Sequence, residues 1–122
     1  MAIDAAAAAG VFWRSPNSSL TEIAIHREAV TNRIYKALAD PTRRRILALL
    51  RERPMTAGEL AGQFDLSWPT MSGHFAVLRE AELVQSERTG TSVTYRLNQT
   101  VLQEALMALM DALGVDPMER SA

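Results

Sequence analysis

The sequence predicts a mostly α-helical domain carrying one small β-hairpin. Three observations predict it. Helix-start signatures recur along the chain: Ser19 with Glu22, Asp40 with Pro41, Thr56 with Glu59, and Ser67 with Pro69. Each pairs a capping side chain with a Glu three residues on, or with a proline in the first turn. Such residues satisfy or remove the N–H groups that a helix start leaves unpaired. Between these signatures, apolar residues return every three or four positions, the helical period. One region switches to a period of two, Leu83–Arg88 and Ser92–Leu97 around Thr89-Gly90-Thr91, and reads as two strands and a turn.

The elements follow in order. Residues 1–18 read as a flexible tail, with an alanine run at Ala5–Ala9 and a loop-forming Arg14-Ser15-Pro16-Asn17-Ser18. Phe12 and Trp13 are unusual there; docking on the body or a partner subunit, or no structural role at all, are both open. The globular domain is expected over residues 19–113. From Ser19, the residues Leu20, Ile23, Ala24, Val30, Ile34 and Leu38 form an interrupted apolar face, one long helix or two short ones ending at Ala39. Asp40-Pro41 opens the next helix, whose core side is Ile46, Leu47, Leu49 and Leu50, and Pro54 closes it. Its first half carries Arg43, Arg44 and Arg45. Cations at a helix N-terminus oppose the macrodipole by about 0.3–1 kcal/mol each when exposed. That cost points to a phosphate or an internal carboxylate nearby. Arg44 and Arg45 are the phosphate candidates; Arg43, nearer the buried face, suits a structural ion pair.

Thr56 and Glu59 form a capping box, and Leu60, Ala61 and Phe64 share a face behind it. Asp65 stands where a tight turn favours a residue tolerant of left-handed dihedrals, and Leu66 is expected to return to the core. Ser67 caps a second helix whose Met71, Phe75 and Leu78 face inward. Its opposite face offers Trp68, Thr70, Ser72, Gly73 and Arg79. Helix, tight turn, helix and hairpin together are the layout of a winged helix-turn-helix, which places its second helix in the major groove of DNA. Small and polar residues between two bulky ones suit close approach to base edges. Arg88, beside the hairpin tip, reaches phosphate or the minor groove, or is simply a solvated charge. The hairpin of helices alone is also compatible with an ordinary packed pair.

Thr100 and Gln103 form another capping box, with Asn98 as a competing cap. The helix to Leu113 is apolar nearly all round. A terminal helix in a chain this small cannot bury every side internally, so the surplus face calls for another subunit. The expectation is a homodimer joined through the end helices, with Ile34, Leu102, Leu106, Leu109, Met110 and Leu113 at the seam. Twofold symmetry then sets two recognition helices ~34 Å apart on a near-palindromic site. Residues 114–122 read as a C-terminal tail.

At 122 residues, with 48% hydrophobic and 22% charged, the chain is ordinary for one globular domain. No apolar run approaches the ~20 residues of a membrane span. No basic segment precedes the alanines, which makes a poor secretory signal. There is no cysteine, which excludes disulfides, thiolate metal sites and thiol redox sensing within the chain. The cytoplasm is the expected compartment. Net charge is −1, yet Thr31 to Asn98 holds ten Lys/Arg against seven Asp/Glu, a local +3. A local basic face matters more than the total, but +3 predicts modest non-specific affinity and a modest salt slope.

Taken together, Ala37-Leu38-Ala39-Asp40-Pro41-Thr42-Arg43-Arg44-Arg45-Ile46-Leu47, Met55-Thr56-Ala57-Gly58-Glu59-Leu60-Ala61, Ser67-Trp68-Pro69-Thr70-Met71-Ser72-Gly73-His74-Phe75 and Leu78-Arg79-Glu80-Ala81-Glu82-Leu83-Val84 resemble the ArsR family of bacterial winged-helix repressors. The SdpR-type autorepressor branch is the nearest likeness, over roughly residues 32–113. The resemblance implies a dimer that occludes the promoter of its own operon, bound to double-stranded DNA. It also implies recognition positions at Trp68, Thr70, Met71, Ser72 and His74 with Arg88 on the wing, and release through sequestration by a membrane protein of the same operon. This chain departs from the family at Trp68, where lysine or glutamine is frequent, and at Gly73, where a polar or basic residue is. Trp68 cannot make a bidentate base contact; it stacks on a sugar, meets a thymine methyl, or packs on the turn.

Many relatives sense metals through cysteines, or through His and carboxylates on the last helix. Here the histidines are His26 and His74 only, and Glu104, Asp111, Asp116 and Glu119 lack a nitrogen partner. No metal and no cofactor are therefore expected. An enzyme is not expected either, because phosphate loop, thiol and Ser/His/Asp set are all missing from the sequence. The rival to DNA binding is a winged helix used as a protein-interaction or dimerisation module.

Overall fold

The computed structural model describes residues 18–116 and 118. The tail with Phe12 and Trp13, the side chains of Ser19, Leu20, Ala24 and His26, and Glu119 lie outside the described residues. Two compact units divide the chain, Met1–Val30 and Thr31–Ala122. Among the described residues, eight elements run in the order α1 (Ser18–Leu38), α2 (Pro41–Glu52), β1 (Met55–Thr56), α3 (Ala57–Ala61), α4 (Trp68–Glu80), β2 (Val84–Thr89), β3 (Ser92–Leu97) and α5 (Gln99–Leu113). The segment from Ser19 is thus one long helix, ending at Leu38.

Local chemistry explains most boundaries. The Asp40 carboxylate accepts the Arg43 backbone N–H at 3.1 Å and Pro41 follows at the first helical position. Thr56 and Glu59 close a reciprocal capping box at 3.0 and 2.9 Å. Ser67 caps α4. At α5 the competing cap prevails: Asn98 accepts from the Val101 N–H at 3.4 Å and the helix starts at Gln99, so Thr100 and Gln103 lie inside it.

The turn chemistry differs from expectation at two points. Asp65 does not hold a left-handed conformation. Among described non-glycine residues only Glu82 does, with φ +61°. It sits just past α4, where the Glu82 N–H bonds the Arg79 carbonyl and the Leu83 N–H bonds the Leu78 carbonyl. That pairing closes the free carbonyls of a helix end and requires one left-handed residue. Leu66 is not in the core; it is 42% exposed in the loop between α3 and α4, and Leu60, Met71, Phe75 and Leu78 take the buried positions on either side.

The hairpin is tighter than its sequence suggests. Thr89 pairs with Ser92, leaving a two-residue loop, Gly90-Thr91. Gly90 carries φ +63°, the first-position requirement of a turn that matches strand twist. The short β1 joins the far side of β3, pairing Met55 with Tyr95, for a sheet order β1-β3-β2. Val93, Tyr95 and Leu97 do share the inward face of β3. The core is Ile46, Leu47 and Leu50 from α2, Leu60 from α3, Met71, Phe75 and Leu78 from α4, and Met55, Leu83, Val84 and Tyr95 from the sheet region. Helices α2, α3 and α4 all pack on it. No described helix is long and apolar enough to cross a membrane.

Candidate nucleic-acid interface

The candidate interface centres on the N-terminal half of α4. Ser67 holds it open: its Oγ accepts the Thr70 backbone N–H at 3.3 Å and donates to Thr70 Oγ1 at 2.9 Å. Thr70 Oγ1, which accepts that bond, still has its own hydroxyl hydrogen to donate. Acceptors are what guanine, adenine N7, thymine O4 and phosphate present. Pro69, Thr70, Ser72 and Gly73 are all exposed beside it.

Trp68 packs at one edge and stays open at the other. It is 55% exposed, yet its ring meets Phe75 edge-on at 6.1 Å. Phe75 in turn stacks on Tyr95 at 4.8 Å. This row of three rings, with centroid spacings typical of aromatic pairs, locks α4 against the central strand of the wing sheet. Arg88 is exposed on β2, opposite Val93 and one residue before the last pair of the hairpin. Arg79 is exposed in the last turn of α4, where its charge favours the helix dipole.

Met71 is corrected from DNA contact to core: it is 0% exposed. Its position on the same face as Phe75 and Leu78 decides this, as the helical period alone implies. Ile34 is likewise corrected as a seam residue. It is 4% exposed within the single chain, turned inward with Ala37, and has no surface to offer a second subunit.

The arginine trio divides. Arg43 Nε donates to the Ala37 carbonyl at 2.8 Å and Nη2 to the Lys36 carbonyl at 3.1 Å. Its Nη1 lies 3.2 Å from His74 Nδ1. Arg44 Nη1 donates to the Leu38 carbonyl at 2.8 Å. Three consecutive carbonyls at the end of α1 thus receive guanidinium donors. The cost of placing cations at the start of α2 is offset by the negative end of α1 beside it. Arg43 therefore binds carbonyls and an imidazole where the sequence suggested a carboxylate ion pair. Arg44 is partly committed, and Arg45 is exposed with no hydrogen bond or ion pair to a described residue.

His74 is only 14% exposed along its side chain, with Nδ1 3.9 Å from Asp40 Oδ2. Desolvation pushes the Asp40 carboxyl up, but the Arg43 backbone N–H, the nearby His74 and the Arg43 guanidinium outweigh it and hold the pKa below the ordinary 3.8. The Thr56 backbone N–H, with Arg53 nearby, lowers Glu59 in the same way. Sequence reasoning missed the Arg43–His74 contact because its partners lie 31 residues apart. Among the described residues no three of His, Cys, Asp and Glu cluster as a metal site would require.

A helix-turn-helix domain model matches residues 38–87. The chain is 45% identical over 83 residues to the transcriptional repressor SdpR of Bacillus subtilis (strain 168), covering 68% of this chain and 92% of that one. Among solved structures, the ArsR family transcriptional regulator RHA00566 aligns with a TM-score of 0.62 at 32% identity, covering 69% of this chain and 94% of that one. A homodimeric winged helix-turn-helix DNA-binding domain from Mycobacterium bovis shares the fold with a TM-score of 0.60 at 24% identity, covering 81% and 87%. The relatives are regulators rather than enzymes. A capped, outward-facing second helix braced on a β-wing, and this likeness across nearly the whole of SdpR, lead to one conclusion: the chain belongs to the ArsR family of winged-helix, DNA-binding transcriptional regulators.

Proposed function

We propose that the protein is a transcriptional repressor that binds a near-palindromic operator as a homodimer and shuts off its own operon in the cytoplasm. The observation that carries this reading is the N-terminal half of α4. Ser67 and Pro69 fix its start, Thr70 and Ser72 offer hydroxyls outward, and Gly73 leaves the surface low. Trp68, Thr70, Ser72 and Gly73 meet base edges and sugars. Arg45, Arg79 and Arg88 meet phosphate, and Arg44 lends the donors that Leu38 does not use. The apolar surface of α5, through Leu102, Leu106, Leu109, Met110 and Leu113, meets its copy in the second subunit. The likeness to SdpR supports self-repression, and sequestration by a membrane protein of the same operon is the release route in keeping with it.

Exposed Leu66 and Trp68 favour a second reading, a protein-interaction module, because both are large apolar side chains at the start of the recognition helix. Fluorescence anisotropy separates the two. The purified protein is titrated with the DNA upstream of its gene and with a scrambled duplex, at low and moderate salt. Preference for the upstream DNA that survives moderate salt is expected. No binding at low salt would leave the interaction module.

A further inference from the structure

One guanidinium joins three elements of the DNA-reading body. Arg43 stands in the first turn of α2, bonds two carbonyls of the last turn of α1, and reaches His74 in the middle of α4. An arginine only donates. The nitrogen it meets, His74 Nδ1, must therefore accept, and the neutral ring carries its proton on Nε2. Asp40, whose carboxylate caps α2 and lies 3.9 Å from the same Nδ1, adds negative charge on the side from which Arg43 arrives.

We infer that His74 is a positioning residue: it accepts from Arg43 and thereby holds the recognition helix in register with the ends of α1 and α2, and it does not itself contact DNA. This rests on the DNA-binding reading of α4. Phe75 and the aromatic row fix the wing side of α4, and the Arg43–His74 bond fixes a second side, about 100° round the helix. Without it the helix turns about its buried stripe, and Thr70 and Ser72 lose their aim together.

The test uses two amides that mimic different ring nitrogens. Asparagine places its carbonyl oxygen near the position of Nδ1; glutamine places its amide near Nε2. For a positioning role, His74→Asn restores the preference for operator over scrambled DNA, whereas His74→Gln and His74→Leu lower it about tenfold, the size of one lost hydrogen bond to a charged donor. For a DNA contact through Nε2 the order reverses, with His74→Gln active and His74→Asn impaired, and the inference is overturned. A second measurement needs no DNA and no variant that folds poorly. Long-range proton–nitrogen spectra of the wild-type chain report the tautomer of each of its two histidines. An unprotonated Nδ1 at His74, shifting toward a tautomer mixture in Arg43→Lys, supports the bond. A protonated Nδ1 in the wild type removes it, whatever the DNA titrations show. Wild-type protein that binds no DNA while keeping the tautomer would fail the functional reading and leave the bond in place.

Discussion

Gly73 occupies the middle of an exposed helix face, has no positive φ, and a Cβ built on it meets nothing within 4 Å. Neither backbone geometry nor packing within the chain requires glycine there. In a helix interior it costs about 0.5–1 kcal/mol relative to alanine. Gly73→Ala is therefore expected to raise the melting temperature by roughly 2–8 °C while weakening operator binding, since the added methyl stands on the face proposed to meet DNA. Calorimetry and anisotropy on one sample check both signs; a stabilised variant with undiminished affinity would remove Gly73 from the contact face. Asp40 makes a prediction of opposite character. Its pKa is lower folded than unfolded, so its stabilisation is present above the ordinary value of 3.8 and is lost as pH falls through the folded value. Asp40→Asn keeps a good cap but loses the charge. Denaturant melts between pH 2 and 6 should show a shallower acid loss in the variant than in the wild type.

At the scale of elements, α5 is the least settled part of the protomer. Only Ala105 is buried, while Leu106, Met107 and Leu113 are exposed. Leu106→Glu places a charge in the proposed seam, where pairing it is costly. Sedimentation should give half the wild-type mass, and a variant that remains dimeric would move the seam elsewhere. The elements also show what a sequence makes legible. Caps at Asp40, Thr56 and Ser67 can be read because cap and partner lie three residues apart. The core face of α4 can be read because its period is local. Met71 sits on that face, and its assignment to DNA followed family position against its own periodicity. Ile34 was placed at a seam because a surplus apolar stripe does not say what covers it. Leu66 and Glu82 depend on how two helices share volume and how α4 ends, which no short window contains. Arg43 and Arg44 found partners at the end of the preceding helix, in an angle between helices that only the fold creates.

Across the whole molecule the charge is −1, with the basic excess confined to the DNA-reading body. Few phosphates are then neutralised, and the affinity should fall gently with salt. Arg45→Ala is expected to weaken binding to every sequence alike and to lower the salt slope by about one. Arg44→Ala should also lower stability, since it uncovers the Leu38 carbonyl. Titrations at several salt concentrations, paired with thermal melts, distinguish the two arginines. Equal slopes for Arg45→Ala and wild type would place that guanidinium away from DNA.

The row from Trp68 through Phe75 to Tyr95 gives the molecule an optical property. Trp68 is one of two indoles in the chain, the other being Trp13. It is anchored at one edge and open to solvent at the other, on the surface proposed to meet DNA. A duplex settling there displaces water from the ring and brings bases close enough to quench its emission. Operator binding by the unlabelled protein should be visible in its own fluorescence, and Trp13→Phe would leave that light coming from the recognition helix alone.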